Sequence, residues 1–461
     1  IGTLEFRIVA NERDHGALFK MADAIGDALN VVDQEGNRLA WWVPVHESER
    51  EGFAQRGGAK TRVREVRGEQ VLEVLKSKLL FRHLAEEQGT SRTAWLENWY
   101  CERLGRKHAL AVNGGTSALI AALFGVDVGP GDEVILPAYT YVATAAAIIA
   151  AGAVPVIAEI DTSLNMDPAD LERKITPHTR AVVPVHMRGV PARMDEIMSV
   201  ARAHNLIVVE DVAQSNGASY RGSPLGTIGN VGCFSFQQYK IITSGEGGLV
   251  ITDDDRIYDR ARMQADCAAR FWEDSHAQAG AYDFVLSGEN YRLCELSAAV
   301  VWAQRQRLDP IIARCRAVKR RVLAAIAGAP GITPQDVPDP DGECGITLTL
   351  LCDDAPAARR FARALRAENI MCGTVHDQGI PDRHIYSHWP FMMSDLTPER
   401  RAPWRHPLYR GAVRGYTPDQ CPESLAVLGR AVMFYFDQFF SDDDANSLAE
   451  GVWKVSKALL A

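Results

Sequence analysis

The sequence lacks the features that mark several large classes of protein. Its nine cysteines include no C-x-x-C pair and no cysteine–histidine cluster at zinc-ligand spacing, so neither a metal site nor a disulfide framework is indicated. No basic tail accompanies the formal net charge of -9, which argues against nucleic acid as a partner. The most apolar stretch, residues 143–153, is too short and too alanine-rich to span a bilayer. Unpaired cysteines favour a cytoplasmic location.

Length and composition indicate a globular protein of more than one domain. The chain has 461 residues, of which 47% are hydrophobic and 24% are charged. We predict an N-terminal extension over residues 1–66, a large domain over 67–309 and a small C-terminal α+β domain over 310–461. Within the extension, residues 4–10 and 38–45 have strand-like patterns and residues 15–29 a helical one.

The large domain alternates short apolar runs with helical patterns. Two amphipathic helices are expected first, at 69–87 and 95–104. Strands are then predicted at 108–112, 134–138, 154–160, 180–186 and 206–210, and helices between them at 117–124, 141–151, 167–174 and 194–204. Strands joined by crossover helices predict an α/β fold with a doubly wound, mostly parallel sheet, whose ligands bind at the carboxyl ends of the strands.

The pattern changes after residue 309. A helix at 311–327 is followed by a linker rich in Pro, Gly and Asp, then by a strand at 345–352 and a helix at 357–368. The segment 381–411, rich in Pro, His, Trp and Arg, predicts a loop or a lid.

One lysine stands out in the large domain. Lys240 lies between an apolar strand-like run at 231–236 and a loop of small residues at 243–248, which leads into a second strand-like run at 249–252. Such a lysine is usually solvated. However, partial burial and nearby cations lower the pKa of an amine and expose its lone pair for Schiff-base chemistry. This segment alone leaves both interpretations open.

A second group suits phosphate. Residues 113–116, Asn-Gly-Gly-Thr, connect the strand at 108–112 to a helix, so their backbone N–H groups and one hydroxyl are placed to hold an anion. Glycines at such a turn are just as often present for backbone geometry.

Two further positions suit a planar, nitrogen-containing ring. Glu210 and Asp211 end an apolar strand, where a carboxylate can pair with a protonated ring nitrogen, although a metal ligand or a helix N-cap explains the position equally well. Tyr141 opens a helix and can stack on a ring, although aromatic residues there more often belong to the core. A phosphate loop, a stacking aromatic, an acid and an amine together match the needs of pyridoxal 5'-phosphate (PLP).

With these residues the sequence resembles the DegT/DnrJ/StrS family of PLP aminotransferases, a fold-type I branch that aminates keto sugars and cyclitols. The resemblance covers about residues 66–461. It rests on Gly-Gly-Thr-Ser-Ala-Leu at 114–119, Glu-Asp-Val-Ala-Gln at 210–214, Phe-Ser-Phe-Gln-Gln-Tyr-Lys at 234–240 and Gly-Glu-Gly-Gly at 245–248. It implies a fold-type I PLP-dependent transferase whose large domain binds the cofactor.

The resemblance also implies roles for single residues. Lys240 would bind the cofactor covalently and later move a proton, while Asp211 would keep the ring nitrogen protonated. Gln214 would contact the ring face or its 3-oxygen, and Tyr141 would stack on the ring.

The phosphate ligands are implied in the same way. Gly115, Thr116 and Ser235 would hold the phosphate within one subunit. Asn290, in the segment 288–292, would reach the phosphate of the neighbouring subunit, which implies a homodimer with shared active sites.

Two sequence features bear on the substrates. Gln237 and Gln238 stand where many sugar-nucleotide aminotransferases have His-x-x-Lys, which favours the glutamine-dependent branch and therefore L-glutamine, or L-glutamate, as donor. Met187 and Arg188 depart from the family pattern after His186, and the N-terminal extension is not part of that pattern. Both features leave the amino acceptor open.

Three functions remain at this point. The leading hypothesis is a ping-pong aminotransferase that uses a keto sugar, a cyclitol or another secondary-metabolite precursor. A PLP enzyme of another reaction type, such as elimination, decarboxylation or cyclisation, is the second, and a non-catalytic ligand sensor on this scaffold is the third. Arg188, Arg383 and His384 are possible substrate contacts, although such residues are more often ordinary surface residues.

Overall fold

The computed structural model describes residues 68–267, 285–375, 381–394 and 397–460. All of them belong to one compact unit, residues 58–461. The predicted N-terminal extension, with its expected strands and helix, lies outside the described residues.

Twelve strands occur in this part of the chain. They are β1 (His108–Val112), β2 (Glu133–Pro137), β3 (Val154–Ala158), β4 (Thr179–Val182), β5 (Ile207–Asp211), β6 (Ser219–Tyr220), β7 (Ser223–Pro224), β8 (Val231–Ser235), β9 (Gly248–Thr252), β10 (Ile332–Pro334), β11 (Thr347–Cys352) and β12 (Ala431–Tyr435).

The α-helices are numbered in the same way. They are α1 (Glu69–Ser77), α2 (Arg82–Glu87), α3 (Arg92–Leu104), α4 (Gly115–Gly125), α5 (Ala143–Ala150), α6 (Pro168–Arg173), α7 (Met194–Ala203), α8 (Asp255–Ala265), α9 (Glu295–Gln304), α10 (Leu308–Ala325), α11 (Ala355–Ala367), α12 (Pro390–Met393), α13 (Pro422–Gly429) and α14 (Asp442–Leu459). Short 3-10 helices lie at Met187–Gly189, Arg305–Arg307, Tyr386–His388, Glu399–Arg401 and Pro403–Arg405. No helix in the described ranges has both the length and the apolar character to cross a membrane.

A seven-stranded sheet has the order β1-β9-β8-β5-β4-β2-β3. Strands β3, β2, β4, β5 and β8 pair in parallel, whereas β9 runs antiparallel to both β8 and β1. The mostly parallel sheet predicted from the sequence is therefore confirmed. Its order places the carboxyl ends of β1, β2, β4, β5 and β8 along the same edge, where ligands of such sheets bind.

Helices cover both faces of this sheet. On β1, Leu110 and Val112 pack into one hydrophobic cluster, and Ala109 and Ala111 pack into another on the opposite face, as the two-residue period of a strand requires. Helices α4, α5 and α8 contribute to the first cluster, and α3, α7 and α9 to the second. Because both faces are buried, the strands read as continuous apolar runs, and the doubly wound fold is confirmed.

A second sheet, β10-β11-β12, is antiparallel throughout. It packs with α11 and α14 around a third hydrophobic cluster. Helix α10 belongs to two clusters: Ile311 and Ile312 lie in the second, and Val318 and Val322 lie in the third. The boundary predicted at residues 309 and 310 stays a prediction.

One local expectation was wrong. The helix expected at 69–87 is two helices, because Lys78 adopts a left-handed conformation (φ 62°) and the Ser77 hydroxyl accepts a hydrogen bond from the backbone of Leu79 at 3.1 Å. The segment 381–411, predicted as a loop or a lid, is mostly irregular in its described residues, and Tyr386, Trp389 and Trp404 within it are buried in the first cluster.

One fully buried carboxylate holds the loops around the carboxyl end of β5. Glu210 accepts hydrogen bonds from the backbone N–H groups of Gly226, Ile228 and Gly229 at 2.6–2.8 Å. It also lies 3.2 Å from Nε2 of His186, whose Nδ1 accepts a hydrogen bond from Ala192. Since Nδ1 is the acceptor, Nε2 carries the proton and donates to Glu210.

We expect Glu210→Gln to destabilise the fold by about 2–4 kcal/mol, because one carboxylate oxygen becomes an NH₂ group that faces N–H donors. The apparent melting temperature of the purified protein should fall by several degrees. Glu450→Gln makes the same change on an exposed position of α14 and should leave the melting temperature unchanged. Equal melting temperatures for both variants would contradict this role of Glu210.

Candidate active site

The carboxyl edge of the large sheet brings together side chains that are far apart in the sequence. Asp211 is the last residue of β5 and Ser235 is the last residue of β8. Tyr141 follows β2, and Lys240 follows β8 by five residues. These four sequence-predicted site residues therefore lie along one edge, as the fold predicts.

Asp211 is a buried carboxylate at the centre of this edge. Its Oδ2 accepts a hydrogen bond from the Thr144 hydroxyl at 2.9 Å, and its Oδ1 accepts one from the backbone N–H of Ala213 at 3.0 Å. Burial raises the pKa of Asp211, while these two hydrogen bonds and the charge of Lys240 act in the opposite direction. A buried carboxylate of this kind is stabilised by a cationic partner.

Lys240 is half-buried beside it. Burial lowers the pKa of the Lys240 amine, the charge of Asp211 opposes that change, and the charge of Arg188 adds to it. The two features that the sequence analysis required of a reactive amine, partial burial and a nearby cation, are both present.

The beginning of α4 lies next to Ser235. A Cβ atom added to Gly115 would lie 2.8 Å from the Cβ of Ser235, so only glycine allows this approach. No side chain caps the helix, which leaves the first N–H groups of α4, including those of Gly115 and Thr116, for another acceptor. An uncapped N-terminus beside a hydroxyl suits an anion.

Gln214 contacts Arg188, which the sequence left open as either a substrate contact or an ordinary surface residue. Its Oε1 accepts a hydrogen bond from the backbone N–H of Arg188 at 3.1 Å. The Arg188 Nε in turn donates to the Tyr139 hydroxyl at 3.1 Å. Arg188 is thus a largely buried part of the site and not an ordinary surface residue.

His384 also lies at this edge. Its Nδ1 is 2.7 Å from Oδ1 of Asp382, and its ring centroid is 5.3 Å from that of the exposed Tyr141. Burial lowers the pKa of His384, as do the charges of Arg188 and Lys240, and Asp382 opposes them. The pKa of Asp382 falls to about 2 because its contacts with His384 and Arg188 outweigh the effect of burial. Arg383, in contrast, has an exposed side chain.

Asn290 belongs to a segment that contacts the residues before α4. It is exposed, its backbone pairs with Asp266, and its side-chain oxygen accepts a hydrogen bond from the backbone of Arg292 at 3.3 Å. Next along the chain, the carbonyl of Tyr291 accepts a hydrogen bond from Asn113 at 2.7 Å. The segment therefore runs past the residues that precede α4.

Sequence reasoning missed Thr144 and Asp382. Thr144 lies in an alanine-rich helix that reads as core, and Asp382 lies in a segment without regular periodicity. No local pattern distinguishes either residue. Only the fold shows that they contact Asp211 and His384.

These groups fit PLP. The uncapped start of α4 and the Ser235 hydroxyl suit its phosphate, the buried Asp211 suits its protonated ring nitrogen, and the Lys240 amine suits its aldehyde. In the part of the chain that the structure describes, no group of three or more His, Cys, Asp and Glu side chains is placed to hold a metal ion.

Comparison with known proteins agrees with this fit. The chain is 42% identical over 222 residues to GDP-perosamine synthase of Caulobacter vibrioides, a match that covers 47% of this chain and 57% of that protein. It is 38% identical over 242 residues to a protein of Streptoalloteichus tenebrarius provisionally named an L-glutamine:3-amino-2,3-dideoxy-scyllo-inosose aminotransferase, covering 52% and 57%. The matched part thus spans little more than half the length of these relatives.

The fold also matches solved structures. S. venezuelae DesV, crystallised in complex with a ketimine intermediate, superposes with a TM-score of 0.66 at 29% identity, over 85% of this chain and 95% of that one. This neighbour, with the mostly parallel sheet, confirms the predicted fold class.

The model of the DegT/DnrJ/EryC1/StrS aminotransferase family matches residues 65–395. This is well over half of the 461 residues. The chain therefore belongs to the DegT/DnrJ/EryC1/StrS aminotransferase family, which confirms the predicted family, enzyme class and PLP cofactor.

Proposed function

We propose that this protein transfers an amino group from L-glutamine or L-glutamate to the carbonyl group of a keto sugar, a cyclitol or a related secondary-metabolite precursor by a ping-pong mechanism. The observation that carries the proposal is one edge of the sheet at which a half-buried amine, a buried carboxylate and an uncapped helix N-terminus lie together. When bound, PLP would supply an aldehyde group that can carry the amino group between donor and acceptor, and an electron-withdrawing ring that stabilises the negative charge formed on the reacting carbon.

The protein's own residues take the following parts in this proposal. Lys240 binds the cofactor aldehyde and then carries the proton that moves during transamination. Asp211, held by Thr144 and Ala213, accepts the hydrogen bond from the ring nitrogen and keeps it protonated. Tyr141 and Gln214 contact the ring.

The phosphate is held by the start of α4. The N–H groups of Gly115 and Thr116 and the Ser235 hydroxyl are its proposed ligands within the subunit. We assign Asn290 to the phosphate site of the partner subunit in a homodimer, because it is exposed. All nine cysteines are free, which supports the proposed cytoplasmic location.

The names of two relatives support the substrate classes. One is the synthase of a nucleotide-linked amino sugar, and the name of another gives L-glutamine as donor and an inosose as acceptor. Gln237 and Gln238 favour the same donor. The acceptor is proposed only as a class, a keto sugar or a cyclitol.

We expect Lys240→Ala to abolish the donor half-reaction, with a loss of about 10²–10⁴-fold or more, because the group that binds the cofactor and transfers the proton is removed. The measurement is the stoichiometric oxo acid released per subunit from L-glutamine or L-glutamate, together with the change in the visible absorbance of bound cofactor. Lys457→Ala, on an exposed position of α14, is the matched control and should behave like wild type.

Three outcomes separate the alternative functions. Oxo acid released once per subunit without acceptor supports the aminotransferase. Continuous ammonia or carbon dioxide release without acceptor indicates another PLP reaction. Tight cofactor binding with no reaction of any donor indicates a sensor.

Asp211→Asn should lower the rate of the same half-reaction by about 10²–10³-fold, because a neutral amide does not stabilise a protonated ring nitrogen. Retained cofactor binding, checked by absorbance, would show that the loss is chemical. An Asn variant within threefold of wild type would rule out the proposed role.

Thr144→Val tests the environment of Asp211. The Thr144 hydroxyl stabilises the charged carboxylate, so its removal should raise the pKa of Asp211 further. If activity needs the ionised form, the acidic limb of the kcat/KM profile moves to higher pH. Thr417→Val, on the exposed surface, should leave the profile unchanged. A limb that stays in place or moves to lower pH would contradict the proposal.

A mixed dimer tests whether Asn290 acts across the subunit interface. Lys240→Ala and Asn290→Ala subunits, co-expressed and isolated as a mixed dimer, should regain one working site, because the intact lysine of one subunit meets the intact asparagine of the other. If Asn290 served its own subunit, both sites of the mixed dimer would be defective and activity would stay low. The activity of mixed dimers, measured against each parent dimer, decides between the two.

A further inference from the structure

Arg188 occupies an unusual place in this site. Its side chain is 17% exposed, and its backbone has φ 55° and ψ 29°, a left-handed conformation that residues other than glycine adopt at an energetic cost. It lies in the 3-10 helix Met187–Gly189, between β4 and α7. A charged side chain held there in a strained conformation indicates a functional requirement.

One contact holds the backbone of Arg188 and two hold its side chain. The backbone N–H donates to Gln214 and Nε donates to the Tyr139 hydroxyl, both at 3.1 Å. The guanidinium carbon lies 5.3 Å from the centre of the Tyr435 ring. The guanidinium is therefore oriented before any substrate binds, which reduces the entropy that binding must overcome.

The nearest carboxylate does not form a tight pair with it. Oδ2 of Asp382 is 4.0 Å from the Arg188 terminal nitrogen, whereas the other oxygen of Asp382 is 2.7 Å from His384. A guanidinium binds a carboxylate best through two parallel hydrogen bonds at about 2.7–2.9 Å. Asp382 thus offsets the charge of Arg188 at longer range and leaves the bidentate geometry to a ligand.

Arg188 also lies close enough to Lys240 for their charges to interact. After burial, which is the main cause, and the opposing effect of Asp211, the charge of Arg188 lowers the pKa of the Lys240 amine. The α-carboxylate of an amino acid is bonded to the same carbon as the amino group that reacts. A donor whose amino group takes the place of the Lys240 amine therefore brings its carboxylate into the neighbourhood of Arg188.

We propose that the Arg188 guanidinium binds the α-carboxylate of the amino-acid donor and so makes the site specific for amino acids over simple amines. This inference rests on the proposed function, because it presupposes an amino-acid donor. Arg188 acts on substrate affinity and orientation, and it carries no proton in the reaction.

The test compares a donor with its analogue that lacks only the α-carboxylate. L-glutamine is paired with 4-aminobutanamide and L-glutamate with 4-aminobutyrate, and kcat/KM of the donor half-reaction is measured for the holoenzyme of wild type, Arg188→Gln and Arg188→Lys. We expect Arg188→Gln to lower kcat/KM for the amino acids by about 10²-fold or more, mainly through KM. The values for the two amines should change by less than about threefold.

Two variants serve as controls. Arg188→Lys keeps the charge but not the bidentate hydrogen-bonding geometry, so we expect an intermediate loss of kcat/KM for the amino acids. If Arg188→Gln does not fold, the Arg188→Lys variant provides the test. Arg383→Gln removes an exposed arginine from the neighbouring loop and should leave both classes of donor unchanged. Melting temperature and bound cofactor are measured for every variant.

The outcomes are distinct. An equal loss for amino acids and amines, or no loss in either, would overturn the inference, because a structural role affects both donors alike. A loss confined to the acceptor half-reaction would overturn it in favour of an anionic group on the acceptor. If wild type released no oxo acid from any amino acid, the proposed function itself would fail, and that result is visible before any variant is made.

Discussion

The site depends on the alternation of two adjacent carboxylates at the end of β5. Successive side chains of a strand point to opposite faces, so Glu210 and Asp211 have different environments. Glu210 is surrounded by N–H donors of the 226–229 turn and by His186, which satisfy its charge completely within the protein. The side chain of Asp211 accepts hydrogen bonds from two neutral donors, and burial raises its pKa. One carboxylate thus fixes the loops, and the other keeps the capacity to bind a cation.

The surrounding charges are arranged as alternating pairs. Asp211 lies beside Lys240, and Arg188 lies beside Asp382, which in turn holds His384. Such an arrangement limits the cost of burying each charge, because each has an opposite neighbour. It also links their pKa values, because the charge of Arg188 acts on Lys240, on Asp382 and on His384. The site behaves as one electrostatic unit.

The fold and part of this unit were predictable from the sequence. Strands that are buried on both faces appear in the sequence as short apolar runs, and their alternation with helices predicts a parallel sheet. Ligands of such a sheet bind at the carboxyl ends of the strands, so the positions of Asp211 and Ser235 at that edge could be predicted as well. Residues that contact the site from distant segments leave no such pattern. Asp382 lies more than a hundred residues beyond Lys240. Its contact with Arg188 exists only because the 381–394 segment pairs with the residues that follow β2, through backbone hydrogen bonds such as that from Thr140 to His384. The break at Lys78 was equally invisible, since both helices share one apolar periodicity.

The opposite pKa shifts of Asp211 and Lys240 suggest how binding and reactivity are linked. Burial favours the neutral form of each group, and the charge of Asp211 is what opposes deprotonation of Lys240. A cationic ring nitrogen that pairs with Asp211 compensates that negative charge, so its effect on the amine weakens while burial and Arg188 continue to lower the pKa of Lys240. The same pairing that orients a ring therefore makes the amine easier to deprotonate.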